Sequence, residues 1–356
     1  MQLAEEMIDR ISRVPTVDLA ESPTVEAAIG ESVRYLASDA ALRSIDADIY
    51  WPKWNSPWWH MLLLWELGLV TRIPERVVRA LVDGLNALPV RIFPIYPGEL
   101  PPGIDPHRET TCHCALGTMD QVLGACGIDV EREMAWAGTL WFVRYQMKDG
   151  GLTCDNDAYL VEHECPSSMV GTVAPLEAML LGDVTGERAA FVDRAAGFLV
   201  ERRLMLGSST VYNAEERDRA RDWLQPCFPR FYLYDVVRGL RALTRWAEVR
   251  HRAIPLSAIE PVVEHLLATS PDGVIRPGRR AYEPMTTRVH DATTDTWVRE
   301  PASRFPLLEA TSVVGAASPA LTRQWRDTRA SLLGLFEAKL IAGDSGLSLQ
   351  IGYVME

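Results

Sequence analysis

Four apolar segments recur along the chain, and each has the residue spacing of a buried helix. They begin at Ser56, Cys112, His163 and Pro226, roughly 50–60 residues apart. Within each segment apolar residues return every three or four positions, which is the period of an α-helix. Polar residues are too few to give these helices a water-facing side. The pattern therefore predicts four helices that are largely buried.

Between and after these segments lie stretches with one polar face, which carries Arg and Glu. They are residues 75–88, 131–146, 187–205, 256–268 and 322–341. A closed ring of helical hairpins requires such alternation of buried and surface-facing helices. The sequence thus predicts an all-α fold, an (α/α) toroid or barrel of inner and outer helices, as one domain over residues 1–356. Within it we expect residues 1–50 to be an N-terminal helical extension and residues 276–305 to be an irregular loop over one rim.

Composition and charge limit which kinds of partner the protein is expected to have. The 356 residues are 47% hydrophobic, and the net charge of −12 disfavours a nucleic-acid partner because phosphate binding needs a basic face. Apolar runs such as residues 61–70 are shorter than the ~20 residues of a membrane span, so none is expected. The acidic, amphipathic N-terminus lacks a secretory leader pattern. We expect a cytoplasmic protein with six reduced cysteines, and the pattern predicts no particular oligomeric state.

The string YQMKDGGL at residues 145–152 resembles the Q-x-x-D-G-G-W repeat of the squalene-hopene cyclase and prenyltransferase toroid superfamily, with Leu152 replacing tryptophan. CALG, DGGLTC, HECPSS and CFPRFYLYD also occur along the chain in the order typical of its bacterial cyclase-like branch, over roughly residues 50–275. The resemblance implies an (α/α) barrel around an apolar cavity for isoprenoid chains. It also implies either a D-x-D-D acid or a zinc held by Asp, Cys and His. The chain has no D-x-D-D string, so the resemblance does not support a cyclisation started by protonation.

Cysteine and histidine collect at the predicted amino ends of the buried helices, which a barrel would open on one rim. The candidate metal ligands there are Cys112, Cys114, Cys154, His163 and Cys165. Helix amino ends stabilise thiolates, and thiolate with imidazole suits Zn²⁺. The preferred ligands are Cys114, Cys154 and His163; Cys165, Cys112 or Asp155 would complete the shell. Mg²⁺ stays open as another cation, and the alternative for the thiols is apolar packing between helices.

Two further sets of side chains are candidates for function. The candidate catalytic residues are His113, Asp155, Asp157, Tyr232 and Asp235. The candidate cavity-lining residues are Trp54, Trp58, His60, Phe228 and Tyr234. Aromatic rings can line a cavity and stabilise a carbocation, or they can pack at the start of a buried helix. Likewise the tyrosines and Asp235 can serve as acid and base, or as hydrogen-bonding groups that a buried helix needs.

Three functions fit these observations. The first is an enzyme of isoprenoid or related hydrophobic small-molecule metabolism, similar to a terpene cyclase or prenyltransferase, whose substrate is a small apolar, isoprenoid-like molecule. The second is a non-catalytic carrier of an apolar ligand, with a structural metal or none. The third is a carbohydrate-active α/α barrel, which needs a facing carboxylate pair. Its candidates would be Asp46, Asp48, Asp155 and Asp157.

Overall fold

The computed structural model describes residues 2–87, 112–134, 140–155, 157–282, 286–291, 293–294 and 296–343. Over these ranges the chain is predominantly helical, which confirms the all-α class. The helices are α1 (Gln2–Arg13), α2 (Pro23–Leu36), α3 (Asp39–Ala47), α4 (Pro57–Glu66), α5 (Glu75–Ala87), α6 (His113–Ala125), α7 (Val130–Glu133), α8 (Trp141–Arg144), α9 (Met169–Met179), α10 (Gly186–Glu201), α11 (Ala214–Arg219), α12 (Val236–Arg250), α13 (Leu256–Thr269), α14 (Pro306–Thr311) and α15 (Pro319–Glu337).

Short 3₁₀ turns and strands complete the described architecture. The 3₁₀ turns are Val70–Arg72, Asp157–Leu160 and Ala220–Leu224. The strands are β1 (Ile254–Pro255), β2 (Thr286–Asp291), β3 (Thr296–Pro301) and β4 (Ile341–Ala342). β1 pairs with β4 in parallel, and β2 pairs with β3 antiparallel.

Local sequence signals fix where several helices begin. Ser22, Ser38, Ser168 and Ser318 each accept a backbone N–H from the first turn of the helix that follows. These bonds satisfy donors that a helix leaves unpaired at its amino end. The helices α4, α6 and α9 bury nearly all of their residues, as the apolar pattern predicts.

The buried helices pack in a row. α6 lies along α9, and both run in the same direction because Gly117 faces Ala174 while Gln121, one turn later, contacts Glu177. α4 adjoins α6, α9 adjoins α12, and α12 packs on α15. Arg323 of α15 donates a hydrogen bond to the carbonyl oxygen of Leu67, directly after α4. Parallel packing of α6 and α9 places their amino ends at one end of the row.

Other helices cover this row. α10 packs on α9 and α12, α13 packs on α10 and α12, and α5 packs on α3. The N-terminal helices belong to the same body, because α2 contacts both α4 and α14 and α1 contacts α15. The helices α1, α2 and α3 therefore pack against the rest of the chain.

Two predicted segments differ from the structure. Residues 131–146 do not form one helix. The helix α7 ends at Glu133, because the next residue, Met134, has an extended backbone. Leu140, directly before α8, has a left-handed backbone with φ 53°. The range 276–305, expected to be irregular, contains the β2–β3 hairpin, in which Val289 pairs with Val298. The β-branched residues of that stretch favour strands, a signal that its many loop-forming residues obscure.

Candidate metal centre

Three cysteines remote along the chain meet at the amino end of α6. The Sγ atoms of Cys112, Cys114 and Cys154 all lie within 4.8 Å of one another. Those of Cys112 and Cys114 are 3.0 Å apart. Cys112 is the N-cap residue of α6 and Cys114 lies in its first turn. Cys114 is buried, whereas Cys112 and Cys154 are partly exposed, so the cluster borders solvent on one side.

The dimensions of this cluster fit a tetrahedral thiolate site. A zinc ion about 2.3 Å from each sulfur would hold neighbouring sulfurs about 3.8 Å apart. The Cys112–Cys114 separation of 3.0 Å is shorter than that value, and the other two are no longer than 4.8 Å. A small rotation of the Cys112 and Cys114 side chains away from each other would reach it. The three cysteines can therefore hold a metal ion, and a tetrahedral ion would keep a fourth position for another ligand.

His113, between the two α6 cysteines, fixes the loop that carries the third. Its Nδ1 lies 3.0 Å from the carbonyl oxygen of Thr153, so that nitrogen is the donor. On the other side of the loop, Ser168 donates its backbone N–H to the carbonyl oxygen of Leu152 at 2.9 Å. Cys154 is thus held between α6 and the start of α9. His113 is buried, and burial lowers its pKa to about 4, so the ring is neutral at pH 7.

The DGGL turn before Cys154 is fastened to the start of α9 and to α10. Asp149 accepts a hydrogen bond from Ser167 at 2.6 Å and lies 3.1 Å from a guanidinium nitrogen of Arg202. Gln146 donates to the carbonyl oxygen of Gly150 in the turn at 2.7 Å and to that of Phe191 in α10 at 2.9 Å. A side chain at Gly151 would lie 2.5 Å from the Cβ of Ser167, so only glycine permits this approach. The turn therefore sets the position of the Cys154 loop.

The three thiols do not ionise alike. Hydrogen bonds from Cys114 and Cys154, together with the charge of Lys53, hold the pKa of Cys112 well below its usual value, against the opposing effect of burial. Burial and the hydrogen bond with Cys112 raise the pKa of Cys114. Hydrogen bonds to the other two sulfurs, with burial, raise the pKa of Cys154. Of the three thiols, Cys112 is therefore the one that ionises most readily in the absence of a metal.

A lysine and a ring of aromatic side chains lie beside the thiols. Nζ of Lys53 donates to the hydroxyl of Tyr232 at 2.9 Å. It also lies 5.0–5.3 Å from the ring centres of Tyr50, Trp51, Trp54 and Tyr232. Burial lowers the pKa of Lys53, but Tyr232 and the nearby cysteines outweigh that effect and raise it. The ammonium is thus a fixed positive charge in a cage of rings.

Of the predicted ligands, His163 and Cys165 do not join the cluster. His163 is exposed, and Glu164 beside it accepts the backbone N–H groups of Val211 and Tyr212 at 2.9 and 2.8 Å. This contact turns the loop outward. Sγ of Cys165 lies 3.9 Å from the Oγ of Ser167 instead. The preferred set with His163 is wrong, and Cys112 takes its place.

The predicted carboxylates lie away from the thiols. Asp155 and Asp157 are exposed. The carboxylate of Asp155 accepts the hydroxyl of Tyr212 at 2.7 Å and the backbone N–H of Asp157 at 3.1 Å. It therefore serves the outer loop and is not in the thiol cluster, although it follows Cys154 directly. Asp48, a candidate for a carbohydrate site, accepts the N–H groups of two residues in the next turn at 2.8 Å.

Most of the predicted cavity residues are packed in the core. Trp58 and Phe228 are fully buried. His60 stacks on Phe305 with ring centres 3.7 Å apart, and its Nδ1 lies 3.1 Å from the hydroxyl of Ser32. Burial lowers the pKa of His60 to about 3. Of this set only Trp54 belongs to the aromatic cage near the thiols.

Tyr234 and Asp235 have structural contacts. The Tyr234 hydroxyl donates to the carbonyl oxygen of Leu204 at 2.6 Å. Asp235 is fully buried, caps α12 by accepting the N–H of Arg238 at 2.9 Å, and pairs with Arg230 at 3.3 Å. Tyr232, by contrast, lies beside the thiols through Lys53. The predicted catalytic set therefore separates, with Tyr232 and His113 near the cysteines and Asp235 away from them.

Sequence reasoning missed Lys53 and Tyr50. A signal for the lysine was present, since only three of the 36 basic residues of the chain are lysines and one stands within an aromatic run.

Comparison with protein-family models, curated proteins and solved structures gives no match. No helix in the described ranges combines the length and apolar character needed to cross a membrane.

Proposed function

We propose that Cys112, Cys114 and Cys154 bind Zn²⁺ with an open fourth position, and that the protein is a zinc enzyme acting on a small apolar, isoprenoid-like molecule. The observation that carries the proposal is the meeting of three thiol sulfurs within 4.8 Å at a helix amino end. Three protein ligands with one open position are typical of catalytic zinc, whereas structural zinc is usually closed by four.

The chemistry of the donors favours zinc among common cations. Thiolates are soft ligands that suit Zn²⁺, while Mg²⁺ takes oxygen ligands. The carboxylates of Asp155 and Asp157, which would suit Mg²⁺, lie outside the thiol cluster. When bound, zinc would act as a Lewis acid or lower the pKa of a coordinated group.

The surroundings of the thiols favour an apolar substrate with a polar or anionic end. Trp54 stacks on Phe231 with ring centres 5.1 Å apart and an angle of 10° between planes, which provides an apolar wall. The ammonium of Lys53 and the hydroxyl of Tyr232 would orient the polar end beside the metal. These groups match what the resemblance to the toroid superfamily implies.

The toroid itself is part of the proposal. Support comes from the order in which α4, α6, α9, α12 and α15 follow one another, and from the hydrogen bond of Arg323 to Leu67, 3.0 Å long, which brings the last of them back to the first. Outer positions would belong to α5, α10 and α13.

Metal analysis of cysteine variants tests the metal centre. We expect about one zinc per chain in protein purified without chelator, and less than a tenth of that in Cys112→Ser, Cys114→Ser and Cys154→Ser. Cys126→Ser is the matched control, because Cys126 ends the same helix, about 18 Å from Cys114 at 1.5 Å per residue. Cys165→Ser tests whether Cys165, a predicted ligand that lies outside the thiol cluster, contributes to zinc binding. Full zinc in the Cys154 variant, or none in the wild type, would refute the site.

A second experiment separates an enzyme from a carrier. Native mass spectrometry of the purified protein reports bound metal and any apolar ligand together, and prenyl diphosphates of several chain lengths can then be offered as substrates. We expect turnover that Lys53→Met and Tyr232→Phe abolish while zinc remains bound. Binding of the prenyl compounds without product, in the zinc-loaded wild type, would instead establish the carrier.

A further inference from the structure

A polar cavity lies between the buried helices, away from the thiols. It has a volume of about 220 Å³, and its wall includes Glu66, Glu177, Arg241 and Arg323. An adjoining cavity of about 180 Å³ shares Glu177 and Arg241 with it and reaches Gln121 of α6. Gln121 is seven residues beyond Cys114, or about 10 Å along the helix. The cavity is therefore at the level of the carboxyl ends of α4 and α9, opposite the cysteine end.

Two arginines at the back of this cavity already have carboxylate partners. Arg238 is buried and contacts Glu177 through two nitrogens, at 2.7 and 2.9 Å. Arg230, also buried, pairs with Asp235 at 3.3 Å. Glu66 accepts two backbone N–H groups, that of Arg230 at 2.9 Å and that of Phe231. These bonds hold the wall rigid, and each of the three carboxylates already has a hydrogen-bonding partner in the wall.

Two other arginines on the wall lack such partners. Within the described ranges no carboxylate oxygen lies within 4.0 Å of a guanidinium nitrogen of Arg241 or Arg323. Arg323 donates a hydrogen bond to the carbonyl oxygen of Leu67. Asp327, which also borders the cavity, pairs with Arg326 at 3.1 Å. Solvent reaches both Arg241 and Arg323, so a ligand can reach them as well.

The side chains that line the cavity carry a net positive charge. Four arginines line the larger cavity against three carboxylates, a net charge of +1. Arg230 and Arg238 lie close enough to repel the charge of Arg241, and a bound anion would reduce this repulsion.

We propose that this cavity binds a small oxyanion, the phosphate or carboxylate group of a small molecule, through the guanidinium groups of Arg241 and Arg323. Guanidinium is planar and presents paired donors that match both groups. The site is distinct from the metal centre and does not depend on its being loaded.

Calorimetry with two probes, inorganic phosphate and succinate, tests the proposal and distinguishes the two anion classes. We expect saturable binding of at least one probe to the full-length protein, weakened about ten-fold or more in Arg241→Gln and in Arg323→Gln, as the loss of a charge-assisted hydrogen bond implies. Arg241→Lys, which keeps the charge, should retain part of the affinity. Arg219→Gln, which removes an exposed arginine paired with Glu215, is the control for net charge and should bind as the wild type.

Circular dichroism and zinc content would show that each variant is folded. Binding lost in the folded Arg241 and Arg323 variants but kept in the Arg219 control would support the site. The proposal would be overturned if neither probe bound at millimolar concentration, or if the Arg219 variant lost affinity as much as the cavity variants.

Discussion

The contact between α6 and α9 at Gly117 makes a sharp prediction about stability and the metal centre. A Cβ added at Gly117 would lie 2.5 Å from the backbone nitrogen of Pro175 and 2.6 Å from the carbonyl carbon of Ala174. Ordinary contacts of a Cβ atom are 3.4 Å or longer. Both obstacles are backbone atoms, so relief requires the two helices to separate by about 1 Å.

The size of the effect follows from two opposing contributions. Overpacking of this kind typically costs about 1–3 kcal/mol, while alanine gains up to about 1 kcal/mol over glycine inside a helix. We therefore expect Gly117→Ala to lower the free energy of unfolding by about 1–2 kcal/mol. Gly124 is in the same helix and has no atom of the described residues within 4 Å of an added Cβ. Gly124→Ala should raise the free energy of unfolding by up to about 1 kcal/mol.

Urea denaturation with excess chelator measures both variants without the contribution of bound zinc. A zinc competition assay should then show weaker binding in Gly117→Ala, because separating α6 from α9 moves Cys112 and Cys114 away from Cys154. We expect at least a ten-fold loss of affinity in that variant and wild-type affinity in Gly124→Ala. Equal stabilities of the two variants would show that α6 and α9 do not approach as closely as described.

Zinc binding to the metal-free protein at pH 7 should release protons, mainly from Cys114 and Cys154, whose pKa values are raised. Calorimetry in buffers of different ionisation enthalpy measures this, and release near zero would contradict the raised pKa values of these two thiols. The pKa of His60 falls to about 3 from a usual 6.5, so neutral His60 adds stability above pH 6.5 that is lost as the pH falls toward 3. The loss reaches about 5 kcal/mol at roughly 1.4 kcal/mol per pH unit. His60→Gln should flatten this dependence in acid titrations of unfolding and the exposed control His163→Gln should not; equal slopes would count against it. Asp235→Asn should lower the free energy of unfolding by about 3–5 kcal/mol in urea, because it leaves a buried arginine without its ion pair. A loss under 1 kcal/mol would mean that this arginine finds another partner.

The helices were largely predictable because their signals are local. Runs such as PWWHMLLLWE of α4 are apolar on every side, and such a helix has to be buried wherever it packs. The residues that begin helices, such as Ser168 before α9, are also read from neighbours a few positions away. The hairpin in the 286–301 range was missed because the many loop-forming residues of that stretch obscure the strand preference of its β-branched residues.

The cysteine cluster was predictable only in part. Parallel buried helices place their amino ends together, and that reasoning put Cys114 with Cys154 in the preferred set and kept Cys112 as one alternative for the remaining position. It could not reject His163, because the outward turn of that loop depends on Glu164 and a segment 47 residues later. Lys53 was missed for the same reason, since its partner Tyr232 is 179 residues away and no repeat connects the two.

Helix ends account for part of the separation of the two sites. The amino end of a helix carries partial positive charge and stabilises the thiolate of Cys112, while the carboxyl end presents carbonyl oxygens that accept from cations. Arg323 uses one such oxygen, that of Leu67 after α4. A carbonyl oxygen at a helix carboxyl end therefore accounts for one contact of Arg323, but Arg238 and Arg241 lie in the first two turns of α12, at its amino end. The charge of Arg241 is thus not explained by helix ends, and it is the reason to look for an anion in the cavity.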